Sequence, residues 1–82
     1  MSVPERRPFV ALGFSTTHDA LDAEALLEDM GIDVTPIPAP PETSANCGIA
    51  LRLEPGDVDR ALVYLDRVGI EVASRTGIED FR

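Results

Sequence analysis

Two side chains stand out as able to do chemistry: the single cysteine, Cys47, and the single histidine, His18. Cys47 ends the segment Ser44-Ala45-Asn46-Cys47 and is followed at once by Gly48. A thiolate is a nucleophile and the species that exchanges with disulfides and persulfides, so an accessible cysteine beside hydrogen-bond donors is a reactive one. The same residue at the start of a strand also reads as a small buried apolar side chain. From the residues alone both readings stay open. His18 likewise reads either as an assisting base or as a surface residue at a helix start. One Cys and one His fall short of a zinc site within one chain, so no metal is expected unless two chains share one. No Ser-His-Asp set, glycine-rich phosphate loop or calcium-binding loop is present, and no cofactor is implied. Asp19, Asp22, Glu24, Glu28 and Asp29 read as the solvated face of a helix.

Composition narrows the setting. The chain has 82 residues, room for one core and no second domain, with short tails expected at residues 1–8 and 77–82 around a domain of residues 9–76. A net charge of −8 argues against a nucleic-acid surface and against docking on anionic membranes. No stretch approaches the roughly 20 apolar residues of a membrane span. Arg6 and Arg7 precede the apolar run at residues 9–14, but a twin-arginine export signal needs a longer apolar segment and a small-residue cleavage site. With one cysteine there is no internal disulfide, which points to a reducing cytoplasm.

The elements that must position Cys47 and His18 come in two copies of one plan. Residues 9–14 form an apolar run expected of a central strand. Thr16 is a candidate N-cap with Asp19 three positions on, close to a capping box, and Ala20, Ala23, Leu27 and Met30 follow at helical spacing up to the stop at Gly31. A second strand is expected over residues 32–36. Residues 49–53 alternate as a half-exposed strand. Pro55 opens a second helix, with Val58, Ala61, Leu65 and Val68 as its buried stripe, Gly69 as its stop and a last strand beginning at Ile70. Met30-Gly31-Ile32-Asp33-Val34 is echoed by Val68-Gly69-Ile70-Glu71-Val72. Tyr64 reads as core. Two βαβ units with right-handed crossovers predict an α+β ferredoxin-like split βαβ fold (βαββαβ), with two helices on one face of a four-stranded antiparallel sheet. Pro36 then belongs on an edge strand.

Between the halves, Pro36, Pro38, Pro40 and Pro41 stiffen a loop too long for a minimal hairpin, the kind of loop that usually carries function. In this topology the third strand runs antiparallel beside the first. Its start therefore lies at the sheet end where the first strand passes into Ser15-Thr16-Thr17-His18. Cys47 and Gly48 are thus expected near a helix N-terminus, whose unpaired N–H groups and dipole favour an anion. Gly48 keeps the backbone uncrowded. Ser15, Thr16 and Thr17 read first as capping residues, with anion binding as a second use of the same geometry.

Phe14-Ser15-Thr16-Thr17, Ala20-Leu21, Ala23-Glu24, Gly31-Ile32, Pro36-Ile37-Pro38 and the run Ser44-Ala45-Asn46-Cys47-Gly48-Ile49-Ala50-Leu51-Arg52 resemble a small bacterial family of selenium/sulfur carrier-like proteins. The resemblance covers about residues 9–72 and is most specific in the Pro-x-Pro segment followed by Ser and Cys-Gly. It implies that Cys47 corresponds to the family's carrier thiol, with a persulfide or selenium donor enzyme and an acceptor protein as partners. The family often has a basic residue after the second proline of that segment, where this chain has Ala39, so a cation beside the thiol is not implied here. The resulting expectation is a carrier or thiol relay rather than a turnover enzyme, with Ser44 and His18 assisting Cys47. The alternative is a module without chemistry. It would bind a small anion or metabolite at the same sheet end, or pair as a homodimer through an open sheet face carrying Ala11, Gly13, Ala50 and Ala73.

Overall fold

Alternation and helical periodicity resolve into seven elements in the computed structural model, which describes residues 6–39 and 48–80. They are β1 (Arg7–Gly13), α1 (Thr17–Asp29), β2 (Val34–Pro38), β3 (Ile49–Leu53), a single 3-10 turn (Pro55–Asp57), α2 (Val58–Arg67) and β4 (Ser74–Asp80). The sheet order is β2-β3-β1-β4, with every neighbouring pair antiparallel. This is the expected ferredoxin-like βαββαβ topology, with β2 at an edge. No helix among the described residues is long and apolar enough to cross a membrane.

One face of the sheet meets the helices. Leu12 and Phe14, Leu51 and Leu53, Ala20, Ala23 and Leu27 of α1, and Val58, Ala61 and Leu65 of α2 form a single buried cluster. Each fully buried leucine there contributes about 1.5–3 kcal/mol by leaving water. Tyr64 packs against the cluster partly buried, as expected.

Both helices end the same way, and this shifts two expectations. Gly31 has φ +80 and Gly69 φ +79. Gly31 N–H donates to Glu28 O and Ile32 N–H to Leu27 O, at 3.0 and 2.9 Å. In the second half Gly69 N–H donates to Asp66 O at 3.1 Å and Ile70 N–H to Leu65 O at 2.9 Å. This paired closure is the Schellman motif, and it folds the residue after the glycine back onto the core. Ile32 is therefore buried and Ile70 partly so, whereas Met30 and Val68, expected in the buried stripes, are exposed caps. With Ile32 and Ile70 tied to the helix ends, β2 begins at Val34 rather than 32, and β4 at Ser74 rather than 70. The strand limits also move outward from the expected tails. β1 starts at Arg7, and its register with β4 runs to Arg7↔Asp80, so residues 77–80 are sheet. Arg52 Nη1 donates to Asp80 Oδ2 at 2.9 Å and holds that end.

The opposite face is not the low small-residue surface expected for sheet-on-sheet pairing. Ala11 and Ala50 are already fully buried, and Ala73 precedes β4. On the same side the Arg52 guanidinium lies 4.4 Å from the Phe9 ring centroid and that of Arg7 lies 5.4 Å away, a cation–π stack covering a ring that is itself buried. Arg7 Nη2 reaches both carboxylate oxygens of Glu54, at 2.8 and 2.7 Å.

Two prolines fix which backbone groups face which strand. β2 pairs with β3 from Val34↔Leu53 to Pro38↔Ile49. Pro36 and Pro38 have no N–H to give, so the residues bonding to β3 are Thr35 and Ile37, with the two prolines turned outward. Ala39 continues the alternation, its N–H donating to Gly48 O at 2.9 Å.

Candidate functional site

The site is built where β1 ends. Gly13 pairs with Ala50 of β3 and with Ser74 of β4, so three strands meet at one end of the sheet. Phe14, fully buried, pins the exit of β1 to the core and leaves Ser15 and Thr16 exposed above it. Thr16 takes an extended conformation (φ −135, ψ 152), and its Oγ1 accepts from Asp19 N–H at 3.1 Å. That is the expected N-cap. Ala20 N–H already bonds to Thr16 O at 3.2 Å, which leaves Thr17 and His18 as the first-turn N–H groups without an intrahelical acceptor.

Gly48 stands two residues before Ala50, at the same sheet end as Ser15 and Thr16. It has φ +76, and a Cβ built on it would meet nothing within 4 Å. Its glycine identity is therefore a demand of backbone angle rather than of space. The Ala39–Gly48 hydrogen bond closes the mouth of the long loop, so the chain leaves and rejoins the sheet at a fixed point. Cys47 and Ser44, expected at the centre of the site, lie outside the described residues. Pro36 and Pro38 lie exposed on β2, below the loop's mouth.

The structure brings Ser15, Thr16, Thr17 and Gly48 to one end of the sheet. His18 shares that helix turn, but its imidazole is 84% exposed and its Nε2 lies 3.1 Å from Asp22 Oδ2, one turn along α1. The ring is thus engaged along the helix surface, the bland reading of that residue. No group of three or more His, Cys, Asp or Glu able to hold a metal occurs among the described residues.

One feature escaped the sequence reading. Pro36, Ile37, Pro38, Gly48 and Ile49 line an open concavity of about 350 Å³ immediately beside the loop's mouth. Among the described residues that line it, none is charged. Ile49 was expected in a strand but Ile37 in the loop, and their approach depends on the extension of β2 to Pro38 and the Pro38↔Ile49 register, for which no local signal exists.

A ferredoxin-like domain with a capped helix start and a left-handed glycine facing it across one sheet end defines a class of small α+β proteins, whose function the fold alone leaves open. The family model described as "Putative Se/S carrier protein-like" matches residues 10–75, and the chain belongs to this family. No curated protein and no solved structure matches the chain.

Proposed function

We propose that the protein carries sulfur or selenium on Cys47. The observation that supports this most directly is the Ala39 N–H to Gly48 O bond together with the Gly13↔Ala50 pairing. They hold the residue that follows Cys47 at the sheet end where α1 presents the Thr17 and His18 N–H groups. Those donors and the helix dipole favour a thiolate over a thiol. The thiolate attacks the outer sulfur of a persulfide on a donor enzyme. A new S–S bond forms on Cys47, the donor's S–S bond breaks, and its electron pair leaves with the donor thiolate. The proton on the outer sulfur travels with it, giving Cys47–S–SH with no net oxidation. An acceptor thiolate then repeats the attack and releases Cys47; with selenium the carried form is Cys47–S–SeH. Ser15, Thr16, Thr17 and Gly48 supply the anion-favouring setting, and Ser44 assists from the loop. His18, turned to Asp22, contributes its backbone N–H.

The test has two parts. Alkylation of Cys47 by iodoacetamide across pH is expected to reach half its maximal rate below the value for free cysteine. Incubation with a persulfidated donor is expected to add the mass of one sulfur atom to the wild type and none to Cys47→Ser. Alkylation like that of free cysteine, together with no added sulfur, refutes the carrier reading. Tight binding of a small anion by Cys47→Ser would instead favour the non-chemical module.

A further inference from the structure

We infer that the outer edge of β4 is a self-complementary surface that pairs antiparallel with β4 of a second copy of this chain. Because Thr35 and Ile37 bond to β3, their partners Arg52 and Ala50 face β2. The alternation then makes Leu51 and Leu53 face β1, where they meet Leu12 and Val10. Phe9, Ala11 and Gly13 are left to face β4, where they meet Ile78, Thr76 and Ser74. The acceptance of Ala73 N–H by Gly13 O at 2.8 Å agrees with this direction. Arg75, Gly77 and Glu79 therefore turn their N–H and C=O groups outward, away from the sheet.

The two borders of the sheet are consequently unlike. On β2 the outward positions include Pro36 and Pro38, which present no donor. β4 is seven residues long, has no proline, and presents a donor and an acceptor at each of three alternate positions. Long unprotected edges of this kind are templates for another strand.

The sequence of that edge selects the partner. Arg75 and Glu79 are exposed, lie on one face, and sit symmetrically about Gly77. An antiparallel two-fold pairing centred on Gly77 sets Arg75 of each copy opposite Glu79 of the other, in hydrogen-bonded register. Thr76 then meets Ile78, and Gly77 meets itself with no side chain on the axis. Opposite charges directly across a ladder stabilise it, and like charges there destabilise it. Self-pairing thus satisfies two charge pairs at once despite the net charge of −8. The result is a continuous eight-stranded sheet across two molecules.

Sedimentation equilibrium over the widest accessible concentration range tests this. The wild type is expected to show a reversible monomer–dimer equilibrium that weakens with added salt. Arg75→Glu and Glu79→Arg each create two like-charge pairs, and each is expected to raise the dimer dissociation constant about tenfold or more. A mixture of the two variants restores complementarity between unlike chains, so the mixed dimer is expected to recover near wild-type strength. The doubly exchanged variant Arg75→Glu/Glu79→Arg is expected to recover in its own dimer. Net charge alone predicts otherwise, since Glu79→Arg makes the chain less negative and would then strengthen association. A wild type that stays monomeric throughout overturns the inference. So does a dimer that is indifferent to both single variants, or one that the mixture fails to restore.

Discussion

Replacing Gly48 by alanine probes the geometry of the loop's mouth with little else disturbed. The added methyl meets no heavy atom within 4 Å, so the cost is confined to holding an L-residue at φ +76. That conformation costs about 1–2 kcal/mol for a residue with a Cβ. Alanine also narrows the unfolded ensemble, which returns about 0.4–1 kcal/mol. The backbone penalty wins, and the net loss is about 1 kcal/mol, equivalent to a fall in Tm of about 4–8 °C for a domain of this size. Asparagine tolerates the left-handed region better, so Gly48→Asn is expected to lose less. Gly31→Ala and Gly69→Ala serve as controls, because both positions share the same φ region and the same open space. All three alanine variants should melt early by a similar margin in a thermal scan followed by circular dichroism. Only Gly48→Ala should also alter the iodoacetamide rate of Cys47, because it alone adjoins the thiol. A Gly48→Ala protein as stable as the wild type would refute the backbone argument. Equal changes in Cys47 reactivity across all three variants would refute the link between Gly48 and the thiol.

Thr16→Ala removes the acceptor for Asp19 N–H and is expected to cost about 1 kcal/mol, with Thr16→Ser retaining most of the stability in urea titration. Leu65→Ala opens a cavity at a residue 1% exposed and is expected to cost about 2–5 kcal/mol. Val68→Ala, at a residue 56% exposed, is expected to stay within about 0.5 kcal/mol. Equal losses at Leu65 and Val68 would mean that α2 presents a different face to the sheet.

The topology was legible because both halves repeat one signal. Alternation in residues 49–53, the helical spacing of Ala20, Ala23 and Leu27, and the matched Met30-Gly31-Ile32 and Val68-Gly69-Ile70 segments all agreed on it. The element ends were less legible. Helical periodicity placed Met30 and Val68 in the buried stripes, but the closure through Gly31 and Gly69 replaces them with Ile32 and Ile70. A periodic pattern contains no term for that reversal. The end of β4 was hidden for a different reason. Ser74-Arg75-Thr76-Gly77-Ile78-Glu79-Asp80 has little intrinsic strand character, and it is pairing with Arg7–Gly13 that makes it sheet. At the site, the cap by Thr16 and the placement of Gly48 at the sheet end where β1 passes into α1 followed from local signals plus topology. The pairing of His18 with Asp22 depends on side-chain choice among several carboxylates, which spacing alone does not rank. The apolar concavity required the register of two strands separated by the whole loop.

Pro36 and Pro38 give the sheet a sealed border as well as an edge strand. A body that can be joined along one side only makes a closed pair and then stops, because neither end of the pair offers a further seam. Open-ended stacking into fibres needs two compatible borders per molecule, and on the β2 side Pro36 and Pro38 withhold two of the donors such a border would use. Exchanging both prolines for residues with an N–H would remove that barrier on the side next to the loop.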